Sequence, residues 1–341
     1  MRILYFGTLG WGGTSLQRCE ALRRVAHVYA VDTRRFVPEV GWGRRPWHSL
    51  AHRLGWGPLV TRVSGELVRE ARRFEPDWVW VDQGLLVSRA AIEEVRSGCR
   101  ARVAHYTPDS LASPGFSNRC FREAVGAYDL CITTKPNEPS RYLALGAKQV
   151  RFSQQGYDPG IHRPIALSSE ARARFGADVA FVGEHNAARA RSLATLARSE
   201  VCTLAIYGRR WERGATGTVL RRLQRGWVYG DDYARALSAA RIGLGFLNHD
   251  VGDVYTTRSF EIPACGTLLL AERTDAHREL FSEDHEAVFF GSDEELLDKV
   301  RFYLLHDAAR ASIAAQGHRR VAGYTWQARM AECVTALAEV S

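Results

Sequence analysis

Arg2-Ile-Leu-Tyr-Phe-Gly7 is a short apolar, β-rich run; Thr8-Leu-Gly-Trp-Gly-Gly13 follows as a glycine loop, and Thr14 to Val25 then carries Leu16, Cys19 and Leu22 at helical spacing. An apolar run that ends in glycine and gives way to a 3.6-residue period reads as strand, turn and helix. The alternation recurs. Val28–Val31 ends at Asp32, and Trp78–Val81 ends at Asp82 after the helical pattern of Leu67–Phe74. Val103–Thr107 and Leu130–Thr133 are two further apolar runs bounded by polar or turn residues. Strands alternating with helices predict an α/β fold with a parallel, doubly wound sheet, since a parallel pair needs a crossover that a helix supplies.

Around Gln155–Pro164 the text changes to a turn-rich stretch, GYDPGIHRP, which reads as a linker. A second series begins beyond it. Val179–Val182, Cys202–Tyr207, Ile242–Leu247, Thr267–Leu270 and Ala287–Phe290 are strand candidates, separated by helical patterns such as Ala188–Arg198 and Asp232–Ala240. Two similar α/β domains follow, with a ligand expected outside the carboxyl ends of the strands. No short-period repeat or low-complexity tract argues for a solenoid or a linker-rich scaffold.

Composition agrees with this. The chain has 341 residues, 46% hydrophobic and 25% charged, enough to bury a core and unlike a disordered or fibrous protein. No stretch approaches ~18 uninterrupted apolar residues and the amino terminus lacks a signal peptide's apolar helix, so a cytoplasmic protein is expected. The seven cysteines (19, 99, 120, 131, 202, 265, 333) are scattered and contain no C-x-x-C, arguing against a disulfide framework or zinc knuckle. The net charge of +8 is unevenly spread: residues 1–165 hold 24 basic against 15 acidic residues, the remainder 22 against 23. A basic first half suits an anionic partner, but no basic helix or nucleic-acid motif accompanies it, so nucleic acid is not expected.

Several segments carry chemistry. The loop Gly7–Gly13 lets backbone N–H groups approach an anionic or polyhydroxylated ligand, with Gly12 and Gly13 at the helix start. It is neither G-x-G-x-x-G with the usual acid nor a P-loop, so nicotinamide and ATP are poorly supported; an ordinary tight turn is the competing reading. In Asp253-Val-Tyr-Thr-Thr-Arg-Ser-Phe-Glu-Ile-Pro-Ala-Cys-Gly266, two acids flank Arg258. A carboxylate accepts hydrogen bonds from vicinal hydroxyls and an arginine neutralises a diphosphate, which together suit a nucleotide-sugar; a helix-start acid with an incidental arginine fits the spacing equally. His105 and Asp109 close the strand 103–107, where a histidine can orient a hydroxyl and a carboxylate can take its proton. Segment 41–57 sets Trp42, Trp47 and Trp56 among Arg44, Arg45 and Arg53, which suits packing on the domain, a ring-stacking site or peripheral membrane contact. Asp231-Asp232 reads as an amino-terminal helix cap, and no histidine has metal-motif spacing, so no metal is expected.

The run TTRSFEIPACGTLLLAE, with DVAFVGEHNAARARSLATL, IYGRRW, GWVYGDDYARALSAARIGLGF and the later EELLDKVRFYLLHDAARASIAAQGHRRV and YTWQARM, resembles the donor-binding domain of GT-B glycosyltransferases of the group 1 superfamily. It is similar in particular to the spore-maturation-protein (CgeB-like) group. The resemblance spans about residues 130 to 330. It implies two Rossmann-like doubly wound domains facing across a cleft: an acceptor domain over 1–158, a nucleotide-sugar domain over 159–325, and a final helix over 326–341 packing back toward the first. It implies that Glu261, the second acid of a Glu-x7-Glu motif, holds the donor ribose. Asp253 takes the place of the first acid, toward the transferred sugar, one methylene shorter than the family's glutamate. Arg258, with Ser259 beside it, and Gly183 fall where the diphosphate binds; Tyr207, Gly208 and Arg209, with Trp227, Val228 and Tyr229, fall where relatives grip the nucleobase. His105 matches a histidine that faces the sugar, and Asp109 is the competing base.

The expected activity is transfer of a sugar from a nucleotide-diphosphate sugar, UDP first and GDP or dTDP next, to an acceptor hydroxyl; a glycan, a lipid-linked acceptor and a natural product stay open, and the basic first half suits an anionic one. Retention of configuration without a metal or cofactor is the family default; a working Asp109 base favours inversion. A non-catalytic binding protein of this fold and a sugar-nucleotide epimerase are the alternatives.

Overall fold

The computed structural model describes residues 1–36, 55–112, 115, 117–214 and 216–340. Its contacts divide the chain into two units: Met1–Gln155 with Asp250–Gly252 and Trp326–Ser341, and Gly156–His249 with Asp253–Thr325.

In the first unit β1 (Arg2–Gly7), β2 (His27–Asp32), β3 (Trp78–Asp82), β4 (Arg102–Thr107), β5 (Leu130–Thr133) and β6 (Val150–Phe152) form one sheet in the order β2-β1-β3-β4-β5-β6. Every pairing is parallel; Ile3, for example, lies between Val28 and Trp78. Helices α1 (Thr14–Arg23), α2 (Pro58–Phe74), α3 (Arg89–Cys99), α4 (Arg119–Ala124) and α5 (Pro139–Ala144) join them. The Ser88 hydroxyl caps α3 by accepting from Ala91 N, as the Asn118 side chain caps α4. Strand β6 escapes the apolar pattern because it is a three-residue edge with Arg151 and Phe152 exposed.

The second sheet contains β7 (Ala177–Val182), β8 (Leu204–Tyr207), β9 (Ala240–Gly245), β10 (Leu268–Glu272) and β11 (Val288–Phe290), in the order β11-β10-β9-β7-β8 and again all parallel. Its helices are α6 (Ser169–Phe175), α7 (Ala187–Arg198), α8 (Gly217–Leu223), α9 (Asp231–Ser238), α10 (Arg258–Ala264), α11 (Asp275–Leu280), α12 (Asp293–Leu305) and α13 (Asp307–Val321). The last helix, α14 (Trp326–Glu339), belongs to the first unit. Counted from its own first strand, the first sheet runs 2-1-3-4-5-6 and the second 2-1-3-4-5, so in each the third strand lies on the opposite side of the first from the second. The two crossovers diverge there and leave a crevice at the strands' carboxyl ends. Asp231 and Asp232 lie in the first turn of α9 rather than capping it; Gly230 holds the cap position at φ +53°, and the acids pair with Arg163, Arg174 and Arg235.

Each sheet is buried on both faces, as parallel sheets require. In the first unit Leu4, Phe6, Val79, Val81 and Val103 meet Leu67, Ile92 and Val95 of α2 and α3. On the other face Ile3, Tyr5, Trp80 and Tyr106 meet Cys19 and Leu22 of α1 and Trp326, Met330, Cys333 and Leu337 of α14. Into that second layer the chain inserts a charge pair. Arg18 gives Nε and Nη2 to the Asp82 carboxylate at 3.0 and 2.8 Å, Tyr5 Oη donates to Asp82 Oδ2 at 2.6 Å, and both charged side chains are 2% exposed. The guanidinium lies 4.8 Å from the Tyr106 ring and 5.5 Å from that of Trp326, whose indole N–H donates to Gln17.

Removing one partner of a buried pair strands the other charge. Arg18→Met is therefore expected to lower the unfolding free energy of the first unit by about 3–5 kcal/mol in urea titrations; a loss under about 1 kcal/mol would show the pair to be dispensable.

Candidate functional site

In the second unit β7 runs into Gly183 and β9 into Phe246, the two sides of that sheet's crevice. Arg258, the first residue of α10, reaches between them. Its Nη2 donates to Phe246 O at 3.2 Å, its guanidinium lies 5.8 Å from the Phe181 ring, and a Cβ placed on Gly183 stands 3.6 Å from its Nη1. Arg258 Nε is buried without a hydrogen-bond partner, and among the described residues no carboxylate pairs with this cation. A half-buried arginine satisfied only by a carbonyl and a ring, at the carboxyl ends of parallel strands, keeps hydrogen-bonding capacity and charge that an anion could use.

The backbone around it is tightly packed. Gly208, at φ +149° after β8, comes so close to the turn after β7 that a Cβ there falls 1.9 Å from Gly183 O. Trp211 Nε1 donates to the same oxygen at 3.0 Å, and Gly183 N donates to Tyr207 O at 2.8 Å. Only glycine fits position 208.

Behind Arg258, Ser259 is fully buried and held by a histidine. His277 Nδ1 lies 2.7 Å from Glu272 O and must donate to that carbonyl, so Nε2 accepts the Ser259 hydroxyl at 2.8 Å. Burial drives the His277 pKa down to about 4. One turn on, Glu261 is 5% exposed and receives the Tyr233 hydroxyl on Oε2 at 2.5 Å, with His162 Nε2 3.7 Å from Oε1. Asp253 lies in the loop before α10, where Asn248 N donates to its Oδ2 at 3.1 Å and the Asn248 side chain accepts from Asn186.

Of the residues expected at the base, Arg209 lies over the Trp227 ring at 3.1 Å and Trp227 lies 4.5 Å from the Tyr229 ring, an exposed aromatic and cationic ledge. Tyr207 is elsewhere. It is 1% exposed with its hydroxyl donated to Phe175 O, because its place on β8 turns the ring into the core. Tyr233 and His162 were not singled out from the sequence. His162 was hidden in a stretch that reads as a linker, and Tyr233 follows two acids that draw the eye as a cap.

The first unit holds the remaining candidates. Gly12 takes φ +79° and Gly13 holds the cap position before α1, its N–H closing on Gly10 O at 2.9 Å. His105 is fully buried: Nε2 lies 3.0 Å from Tyr142 Oη, the Phe121 and Tyr128 rings pack at 4.9 and 5.2 Å, and burial lowers its pKa to about 3. The strand's two-residue period turns its ring under the sheet instead of out of its end. Asp109, beyond the end of β4, is half-buried and accepts from Gln83 Nε2 at 2.7 Å; burial raises its pKa. Gln83 itself is held at φ +69°, a left-handed geometry that is costly for a side chain and often marks a functional turn. Beside it, at this sheet's own crevice, a recess is lined by Phe6, Thr8, Val81, Leu85 and Val87. Residues 41–54 of the tryptophan-arginine segment lie outside the described residues; Trp56, at its end, is 76% exposed.

Among the described residues no three His, Cys, Asp or Glu side chains gather as metal ligands, and no helix is long and apolar enough to cross a membrane.

Residues 189–335 match the family model described as glycosyl transferase-like, a span that contains Arg209, Tyr229, Asp253, Arg258 and Glu261. No curated protein matches the chain in sequence. Among solved structures, the chain is similar to sucrose-phosphate synthase from Thermosynechococcus elongatus (14% identity, 99% of this chain and 98% of that one covered, TM-score 0.69). It is also similar to Anabaena HepE in complex with UDP and glucose (13%, 99% and 99%, 0.67) and to a glycosyltransferase from Rickettsia africae (11%, 99% and 98%, 0.64). The fold is GT-B. At such identities the likeness extends to the GT-B architecture alone.

The buried histidines tie stability to pH. The folded protein keeps His105 and His277 neutral to about pH 3 and about 4, while the unfolded chain takes up protons near 6.5. Stability is therefore complete above pH 6.5 and drains as the pH falls toward those values. Between pH 7 and pH 5 each histidine should cost about 2 kcal/mol. Urea titrations at the two pH values, repeated on His277→Gln, check this: the variant's pH dependence should be shallower by that amount, and an unchanged slope would contradict the assignment.

Proposed function

We propose that the chain is a glycosyltransferase that moves a sugar from a nucleotide-diphosphate sugar to an acceptor hydroxyl, with the donor bound by the second unit. One observation carries it: the Arg258 guanidinium, unpaired with any described carboxylate, at the crevice of the second GT-B sheet beside Gly183. Negative charge grows on the leaving diphosphate during transfer, and a preorganised cation placed there stabilises it without help from a metal ion. Glu261, three residues on, suits the ribose hydroxyls, and the Arg209–Trp227–Tyr229 ledge suits a planar base. The family match over 189–335, and HepE's complex with UDP and glucose at 13% identity, favour a UDP-hexose donor. The acceptor falls to the basic first unit, with Asp109 and the recess beside Gln83 as its contacts. The same reading extends to the spore-maturation-protein group, to a cytoplasmic setting and to an anionic acceptor that brings 41–57 to a membrane face.

Purified protein screened by thermal shift against UDP, GDP, dTDP and their sugar conjugates is expected to respond to one nucleotide. A ligand at ~100 times its dissociation constant adds about 2.7 kcal/mol, and that gain should vanish in Glu261→Ala and Arg258→Ala. A folded protein that no nucleotide stabilises would refute the donor site.

The stereochemistry follows from which group takes the acceptor's proton. Front-face attack, in which the diphosphate itself takes it, gives retention and leaves Asp109 to orient the hydroxyl. NMR of the product anomer is expected to show retention, with Asp109→Asn slowing transfer by less than about a hundredfold. An inverted product together with a larger loss would make Asp109 the base.

A further inference from the structure

Glu261 does not stand alone in the second unit. Its carboxylate lies in a box closed by Tyr233 from α9 and by His162 from the stretch that follows the first unit's last strand. The Tyr233 hydroxyl donates to Oε2 at 2.5 Å, the His162 and Tyr233 rings meet edge to face at 5.0 Å, and His162 and Glu261 are 3% and 5% exposed. The histidine's tautomer follows from its neighbours. Asp158 N donates to His162 Nδ1 at 3.2 Å, so Nδ1 carries a lone pair and the neutral ring's hydrogen sits on Nε2, facing Glu261 Oε1 at 3.7 Å. His162 is itself pinned, its own N–H closing on Asp158 O at 2.7 Å.

The box fixes one carboxylate oxygen by a hydrogen bond and turns a donor toward the other without occupying it. A carboxylate offers about four lone-pair sites, and Tyr233 uses one. The remaining capacity is spread over both oxygens at a fixed angle, which is the arrangement that two adjacent hydroxyls can use together. A carboxylate free to rotate would serve a single hydroxyl nearly as well as a pair, since it could turn its better oxygen to whichever donor was present.

We propose that Tyr233 and His162 are positioning residues that lock the Glu261 carboxylate and so make the donor pocket select a ribose over a 2′-deoxyribose nucleotide. This rests on the donor site proposed above and adds to it the two residues that orient the carboxylate and the selectivity they confer. Neither touches the nucleotide in this account; both act through Glu261.

The test is a ratio of affinities, which a loss of stability alone does not move. Dissociation constants are measured by calorimetry for UDP against 2′-deoxy-UDP, and for GDP against 2′-deoxy-GDP, on the wild-type full chain and on Tyr233→Phe and His162→Ala. A second hydrogen bond to a charged acceptor corresponds to about a ten- to hundredfold preference for the ribose form in the wild type. The ratio is expected to fall to about threefold or less in both variants, while binding of the deoxy nucleotide stays within about threefold of wild type. Urea titration on the same samples reports the structural cost separately, and His162→Ala keeps the test open if Tyr233→Phe does not fold. A ratio that stays at its wild-type value in both variants overturns this proposal and leaves the donor site standing. A fall in only one variant removes the other residue from it. No binding of either diphosphate to the wild type overturns the donor site and this inference together.

Discussion

A parallel sheet whose third strand crosses to the far side of its first has one gap that neither crossover covers, and this chain builds that gap twice. One arginine in each unit separates the two. In the first, Arg18 lies beneath the ends of β1 and β3 and spends two nitrogens on Asp82, a carboxylate shared with Tyr5. In the second, Arg258 reaches into the crevice itself with only a carbonyl and an aromatic ring for company. Similar topology thus carries one neutralised arginine and one that is not, and the contrast in compensation, not the presence of arginine, sets a structural cation apart from one with capacity left over.

The second unit also shows how a mobile kind of side chain is made rigid. Arg258 begins α10, and the turn beneath it is held by Ser259 through a histidine that is itself held by Glu272 O. Gly208 and Gly183 bring two backbone turns closer than any side chain would permit, and Trp211 closes over them. These contacts are all internal, so the crevice keeps its shape before any ligand arrives, and binding need not include the entropy of assembling it. The neutral His277 ring is part of the same arrangement, since its burial disfavours a charged ring there.

The strand and helix alternation was legible because buried parallel strands read as apolar runs, and the α/β class followed from Arg2–Gly7, Trp78–Val81 and Val179–Val182 almost without exception. The short edge β6 was not, because three residues with an arginine have no period. Side-chain direction was the harder quantity. His105 and Tyr207 looked available from their place at strand ends, yet a one-residue step along a strand reverses the face, and both rings turn inward. The partners of Glu261 come from 99 and 28 residues away, His162 and Tyr233. No local pattern announces a contact of that kind, and only the folded backbone brings the three together.

The return of α14 to the first unit has a consequence in time. Trp326, Met330 and Leu337 complete a layer whose other members lie before residue 156. A ribosome adding roughly 5–20 residues per second needs about ten to thirty seconds to travel from Gln155 to Trp326. Throughout that interval the nascent first unit shows Tyr5, Trp80 and Tyr106 covered by α1 but not by α14, and Arg18 lacks one of its two rings. The second unit, in contrast, is complete in sequence by Thr325 and can close while the first is still waiting. The half of the protein that is made first is therefore the half that finishes last, and the open apolar face is the surface a chaperone would meet during synthesis.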